Sequence, residues 1–178
     1  HLTIATVGPA GGFVAPCGFV GANGECLQRQ NLGKVRIQGL EIEGELRPSA
    51  SWRLALSGSL IDTEVREAAR SSLIGTSLRR VPDERISASV GYRGPGGLSL
   101  LLRSRYTGER FDDDRNSRPI DDALLTDLSG SYGLHDRVSV YAGIENLFDE
   151  EPEVGVSRTV VRIGAPRRVH VGVRLRSR

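Results

Sequence analysis

The chain has 178 residues, with 24 Lys and Arg against 22 Asp and Glu and a formal net charge of +2. A balance this close supplies no field strong enough for nucleic-acid binding. No apolar run approaches the ~20 residues that a membrane helix needs, and with His1 first and no Met anywhere the sequence reads as an internal or C-terminal piece of a longer protein.

The chain opens on "LTIATVG", which reads as the end of a strand. A Gly-rich segment with the look of a loop follows, "PCGFVGANGECL", carrying the two cysteines, Cys17 and Cys26. No second Cys or His pair completes a tetrahedral ligand set. The pair therefore reads as a disulfide, with free thiols as the alternative, and a disulfide implies an oxidising compartment.

Period-2 segments then succeed one another, the pattern of strands whose two faces meet different surroundings. "LEIEGEL" sets Leu40, Ile42, Gly44 and Leu46 against Glu41, Glu43 and Glu45, and Pro48 is expected to break it in the turn "RPSAS". "WRLALSGSLID" sets Trp52, Leu54, Leu56 and Leu60 against Arg53, Ala55, Ser57 and Ser59. In "RISASVGY" the apolar set is Ile86, Ala88, Val90 and Tyr92. After the turn "RGPGG", "LSLLLRSRY" places Leu98, Leu100 and Leu102 opposite Arg103 and Arg105. "ALLTDLSGSY" opposes Leu124, Thr126, Leu128 and Tyr132 to Asp127, Ser129 and Ser131. Beyond "GLHDR", Val138, Val140, Ala142 and Ile144 oppose Ser139, Tyr141 and Glu145. Last, Val169, Val171, Val173 and Leu175 oppose Arg168, His170, Gly172, Arg174 and Arg176. Consecutive hairpins of this kind predict an all-β antiparallel up-and-down meander of about seven or eight strands.

The connections alternate in length. Short turns alternate with long polar ones at about 64–80, 108–121 and 149–163, the arrangement of transmembrane β-barrels, whose outer face is apolar and whose inner face is polar. A soluble or surface β-sandwich that binds a partner is the competing architecture. The polar face favours the barrel, because it carries long side chains of both signs at strand centres: Glu41, Glu43, Arg53, Arg103, Arg105, Asp127, Glu145, Arg168 and Arg174. In a barrel these line the lumen or face a plug, and opposite charges pair across neighbouring strands. On a sandwich they are ordinary solvated residues.

Specific motifs add a family. "NLGKVRIQGLEIEGELRPSASWRLALSGSLIDTE" resembles a barrel segment of TonB-dependent outer-membrane receptors through Asn31, Gly39, Leu40, Glu41 and Trp52. "RRVPDERISASVGY" is similar to the family's Pro-containing approach to a strand, "YAGIENLFDEEPEVG" to its penultimate strand and "GAPRRVHVGVRLR" to its closing strand. Two departures stand out: Asp149-Glu150-Glu151-Pro152 lacks the Tyr that often follows, and Arg176-Ser177-Arg178 lacks a terminal aromatic.

The resemblance implies a bacterial outer-membrane barrel of about 22 strands closed around a plug domain. It also implies active transport of a scarce small-molecule ligand, such as a metal chelate, driven by the TonB complex through a region ahead of the plug. A ferric siderophore is the default ligand, with cobalamin, other metal chelates and oligosaccharides open, and a simple porin or adhesin barrel is the alternative within the same architecture. Residues 1–32 become a strand end and outer loop, residues 33–178 the C-terminal barrel strands, and the Leu/Val face meets outer-membrane lipid. In this frame 146–149 marks the outer end of a strand, with Phe148 an interfacial aromatic.

Enzyme chemistry finds no support, and no cofactor is expected. His1, His135 and His170 stand in no nucleophile motif, and no Gly-x-Ser-x-Gly elbow occurs. "DDDRN" at 112–116 lacks the Gly and distal Glu of an EF-hand loop and is expected to be a solvated charge cluster. "GPAGG" and "GPGG" follow no phosphate-loop spacing and read as turns.

Overall fold

The computed structural model describes residues 2–7, 12–15, 17–21, 25–30, 33–157 and 159–176, with the backbone alone over 2–7 and 25–30. His1, Asn31, the Cys26 side chain, residues 8–11 of "GPAGG" and the terminal residues 177 and 178 lie outside the described set. The chain runs through β1 (Leu2–Val7), β2 (Gly12–Val14), β3 (Gly18–Val20), β4 (Glu25–Gln30), β5 (Lys34–Ser49), β6 (Trp52–Glu67) and β7 (Glu84–Arg93). It continues through β8 (Ser99–Thr107), β9 (Arg110–Phe111), β10 (Pro119–Ile120), β11 (Ala123–His135), β12 (Val138–Glu145), β13 (Glu153–Val156), β14 (Val161–Ile163) and β15 (Arg168–Leu175). Among the described residues there is no α-helix.

Seven strands form one antiparallel sheet in the order β15-β12-β11-β8-β7-β6-β5, the expected meander. Its register settles which side chains share a face. Leu40 faces Leu60 and Leu46 faces Leu54; Leu56 faces Ala88 and Val90 faces Leu102. Leu102 faces Leu128, Leu128 faces Ile144, and Ile144 faces Val169. This continuous apolar face is bare, with Leu56 52% and Val171 77% exposed. A sandwich would cover it with a second sheet, and no described residue does so. The buried apolar side chains Val65, Leu73 and Ile120 instead sit at the long-loop end. Two polar residues on the apolar face, Ser104 and Thr126, hydrogen-bond each other at 3.0 Å, which satisfies hydroxyls that lipid cannot.

The structure departs from the periodicity in four places. First, β5 and β6 each run to 16 residues, because pairing continues past Leu40 and Leu60 where alternation stops. There Arg36 bridges Asp62 at 3.0 Å and Glu64 at 2.9 Å. Hydropathy alternation therefore marks only the apolar part of each strand. Second, Pro48 does not break its strand. β5 continues to Ser49, and Pro48 is tolerated because it falls inside the register slip between Leu46 and Ser49, where it has no ladder partner in β6. Third, β1 pairs with β4 in a separate two-stranded sheet rather than adding an eighth strand to the meander, and the start of the Gly-rich segment that read as a loop forms β3, which pairs with β2 just ahead of it. Fourth, two of the long connections contain small hairpins, β9 with β10 and β13 with β14.

Candidate functional site: the polar face and the outer loops

The register puts all nine predicted charged residues on the face opposite the leucines. Glu41 and Glu43 face Ser59 and Ser57, Arg53 faces Gly91, and Ser89 and Ser87 face Arg103 and Arg105. Asp127 faces Arg103, Glu145 faces Arg168, and Arg174 faces Ser139. Cross-strand charge pairing holds for part of the set. Arg105 donates to Asp127 at 2.7 Å, and Arg168 pairs with Glu145. Arg53 pairs with Glu45, a polar-face residue left out of the predicted set, which also binds Arg47 at 2.7 Å. Arg174 lies over the Tyr141 ring, 5.7 Å from its centroid. The side chains of Glu41, Glu43 and Arg103 have no hydrogen-bond or ion-pair partner among the described residues.

His170 belongs to this face too. Its ring covers Gly143 across the strand pair, while Tyr141 covers Gly172. Each glycine leaves room for an aromatic ring to lie flat on the backbone, which explains both the histidine and the glycines without catalysis.

The outer end of the sheet is closed by the "ENLFD" turn. Asn146 takes φ 54 and Asp149 φ 59, a left-handed conformation that Asn and Asp adopt more readily than other side chains. The Asn146 backbone N–H donates to Asp127 at 3.0 Å, and its amide accepts from Glu150 N–H at 2.9 Å while donating to the Glu150 carbonyl at 2.8 Å. Asp149 accepts from the Arg167 N–H at 2.9 Å. The motif thus ties β12 to β11 and to the segment that begins β15. Nothing in the hydropathy pattern marks Asn146 as buried, although its exposure is 5%.

Beyond that turn, Asp112 gathers three long connections. Its carboxylate accepts from Arg80 Nε at 2.6 Å, from Arg79 at 3.4 Å and from the Val156 N–H at 2.7 Å, with Arg162 at 4.0 Å. Neighbouring Asp113 accepts from the Ser117 hydroxyl and from the Ser117 and Arg118 N–H groups, each at 2.9 Å. The expected solvated cluster is therefore wrong for these two: Asp112 is 4% and Asp113 8% exposed, because arginines and backbone amides replace water around them. Burial pushes the Asp112 carboxyl up, but the Arg80 hydrogen bond, the Val156 N–H and the Arg80 charge outweigh it and hold it below its ordinary range. Asp113 is likewise held low against burial, by Ser117 and Arg118. No cluster of metal-ligating side chains occurs among the described residues.

Between this loop layer and the polar face lies a cleft of about 500 Å³, lined by Arg105, Arg110, Asp127, Glu145, Glu153 and Arg168 among others. Arg110 is fixed at its edge by donating to the Glu153 carbonyl at 3.0 Å. Near the chain start Cys17 is disulfide-bonded.

A single-layer meander with one lipid-compatible face, one charged face and loops layered over one rim is a wall of a transmembrane β-barrel. The chain belongs to the family described as TonB dependent receptor-like, beta-barrel, whose model matches residues 4–147. It is 31% identical over 128 residues to the ferrichrome outer membrane transporter/phage receptor of Escherichia coli, a match covering 67% of this chain and 17% of that protein. It is 26% identical over 121 residues to the vitamin B12 transporter BtuB of Photobacterium profundum, covering 68% and 19%. The chain thus spans less than a fifth of the length of these curated relatives. Among solved structures, the ferric yersiniabactin uptake receptor FyuA of Yersinia pestis superposes with a TM-score of 0.74 at 22% identity, over 82% of this chain and 24% of that one. The siderophore receptor PiuA of Acinetobacter baumannii gives 0.71 at 16%, over 90% and 23%. At these identities the structures establish the fold. The protein is an outer-membrane barrel component, and its relatives are transporters and receptors rather than enzymes.

Proposed function

We propose that this chain forms the C-terminal wall of a receptor that takes up a scarce metal chelate, an iron–siderophore complex first of all, across the bacterial outer membrane. The observation that carries this reading is the cleft under the outer loops, where Arg105, Arg110 and Arg168 stand beside Asp127, Glu145 and Glu153, so that charged hydrogen-bonding groups of both signs converge. Such a lining suits a polar metal chelate, because guanidinium forks bind oxyanions through paired hydrogen bonds and the carboxylates accept from hydroxyl and amide donors. The names of the relatives, for ferrichrome and vitamin B12, support the same class of cargo.

In this reading the nine charged residues of the polar face line the lumen and meet the protein's own plug domain, and the TonB complex acts through a region outside this chain. Residues 1–32 supply a strand end and an outer loop braced by a disulfide between Cys17 and Cys26, and residues 33–178 supply the barrel strands. The test uses the full-length protein in a host lacking it, with uptake of a panel of ferric siderophores and of cyanocobalamin measured with and without TonB. Saturable, TonB-dependent uptake of one iron chelate is expected, weakened by Arg105→Gln. Uptake indifferent to TonB would make the barrel a simple porin, and uptake of cyanocobalamin alone would replace the iron cargo.

A further inference from the structure

The charges that line the cleft under the outer loops are not all satisfied alike. Arg105 donates to Asp127 at 2.7 Å, the other Asp127 oxygen accepts the Asn146 N–H, and Arg168 pairs with Glu145. Those four side chains answer one another. Arg110 and Glu153, the remaining charged residues of the lining, do not. Arg110 donates only to backbone carbonyls among the described residues, that of Glu153 at 3.0 Å and that of Gly108 at 3.5 Å. The Glu153 carboxylate accepts only the Asp121 N–H, at 3.3 Å, among the same residues. Both residues are half-buried.

One bond fixes how the two stand. The carbonyl that holds the Arg110 guanidinium is that of Glu153 itself, so a cationic donor and an anionic acceptor lie side by side, each with hydrogen-bonding capacity left over. Burial first, and then the like charges of Arg85 and Arg80, hold the Arg110 guanidinium below its ordinary range against the pull of Asp112 and Glu153. An incoming oxyanion therefore relieves a cation that lacks a partner. A ligand of one sign would satisfy one of the two groups and be repelled by the other. We propose that the cleft selects a metal chelate with a zwitterionic arm, whose carboxylate or similar oxyanion is bound by Arg110 and whose ammonium is bound by Glu153. Charge-assisted hydrogen bonds of both signs then form on one arm, and Pro152, Val154 and Pro166 flank its hydrocarbon part. The volume of about 500 Å³ suits an arm of the chelate. The inference rests on the uptake reading and narrows its cargo.

The test takes the full-length receptor in detergent and a set of ferric trihydroxamates that share one linear backbone. Their ends carry an ammonium and a carboxylate, the ammonium alone, the carboxylate alone, or neither, and titration calorimetry reads their affinities. The zwitterionic chelate should bind about tenfold more tightly than each of the others. In Arg110→Gln the chelate with the ammonium alone should bind as tightly as the zwitterion, and in Glu153→Gln the chelate with the carboxylate alone should do so. Arg110→Lys should keep most of the wild-type preference. Equal affinity across the set, binding of none of it, or variants that weaken every member alike would overturn the proposal. Heat-modifiable migration reports whether each variant forms its barrel, and where one does not, the wild-type series decides. TonB-dependent uptake of another iron chelate by the same cells keeps the uptake reading when this specificity fails, whereas absence of all TonB-dependent uptake sinks both.

Discussion

Arg80 donates its Nε–H to Asp112 at 2.6 Å, joining two outer connections across 32 residues of sequence. The same carboxylate also accepts the Val156 N–H from a third connection, so one buried acid holds the loop layer that roofs the polar cleft. Asp112→Asn keeps the shape but removes the charge, and Asp112→Ala leaves the Arg80 and Val156 donors without their acceptor. The alanine variant should lose on the order of 1–3 kcal/mol of loop stability. Faster hydrogen exchange in 68–83, 108–121 and 149–163 of the full-length protein, with the sheet unchanged, is the expected readout, and Asp112→Asn should show the smaller change.

The pH dependence of this clasp follows from its sign. Asp112 is held below its ordinary value of 3.8 in the folded state, so its stabilising contribution is fully present above that value and is lost as pH falls through the lower, folded-state one. Loop protection measured by exchange should therefore be flat from neutral pH into mild acid and fall only in stronger acid. A fall centred near pH 6 would point to a histidine instead.

Gly39 and Gly143 make contrasting predictions. A Cβ at Gly39 would meet the Leu60 carbonyl oxygen and the Ile61 Cα, which are backbone, whereas at Gly143 it would meet the His170 ring at 2.5 Å. Backbone cannot step aside without opening the β5–β6 ladder, but a ring can turn. Gly39→Ala should cost roughly 1–3 kcal/mol and Gly143→Ala less than about 1 kcal/mol, compared by the midpoint of heat-modifiable migration.

Leu56 and Ser57 are adjacent but face opposite sides of the sheet. Arginine at a lipid-facing midplane position costs ~2–4 kcal/mol, while lumen positions tolerate it. Leu56→Arg should therefore cut assembly into the outer membrane sharply, and Ser57→Arg should assemble near the wild-type level and alter passage through the lumen. The reverse order would exchange the two faces.

Sequence by itself determined the seven strands of the meander and their two faces. Alternation within each meander strand leaves one arrangement of apolar and polar sides, because a one-residue slip would turn every side chain over. It also carried the family, through Gly39, Trp52 and the "ENLFD" ending, without giving the physical reason for any of them. Only the tertiary structure supplied those reasons: Gly39 lies against the Leu60 carbonyl, Trp52 packs at a tilt against Tyr92, and Asn146 makes its turn by leaving the ordinary backbone regions. The loop layer was illegible for the same cause. The partners of Asp112 come from segments dozens of residues apart, where no period links them, and a run of three acids looks solvated until the fold brings Arg79, Arg80 and the Val156 amide to it. Local pattern encodes which way a strand faces, but what the long connections enclose depends on contacts that only closure of the chain creates.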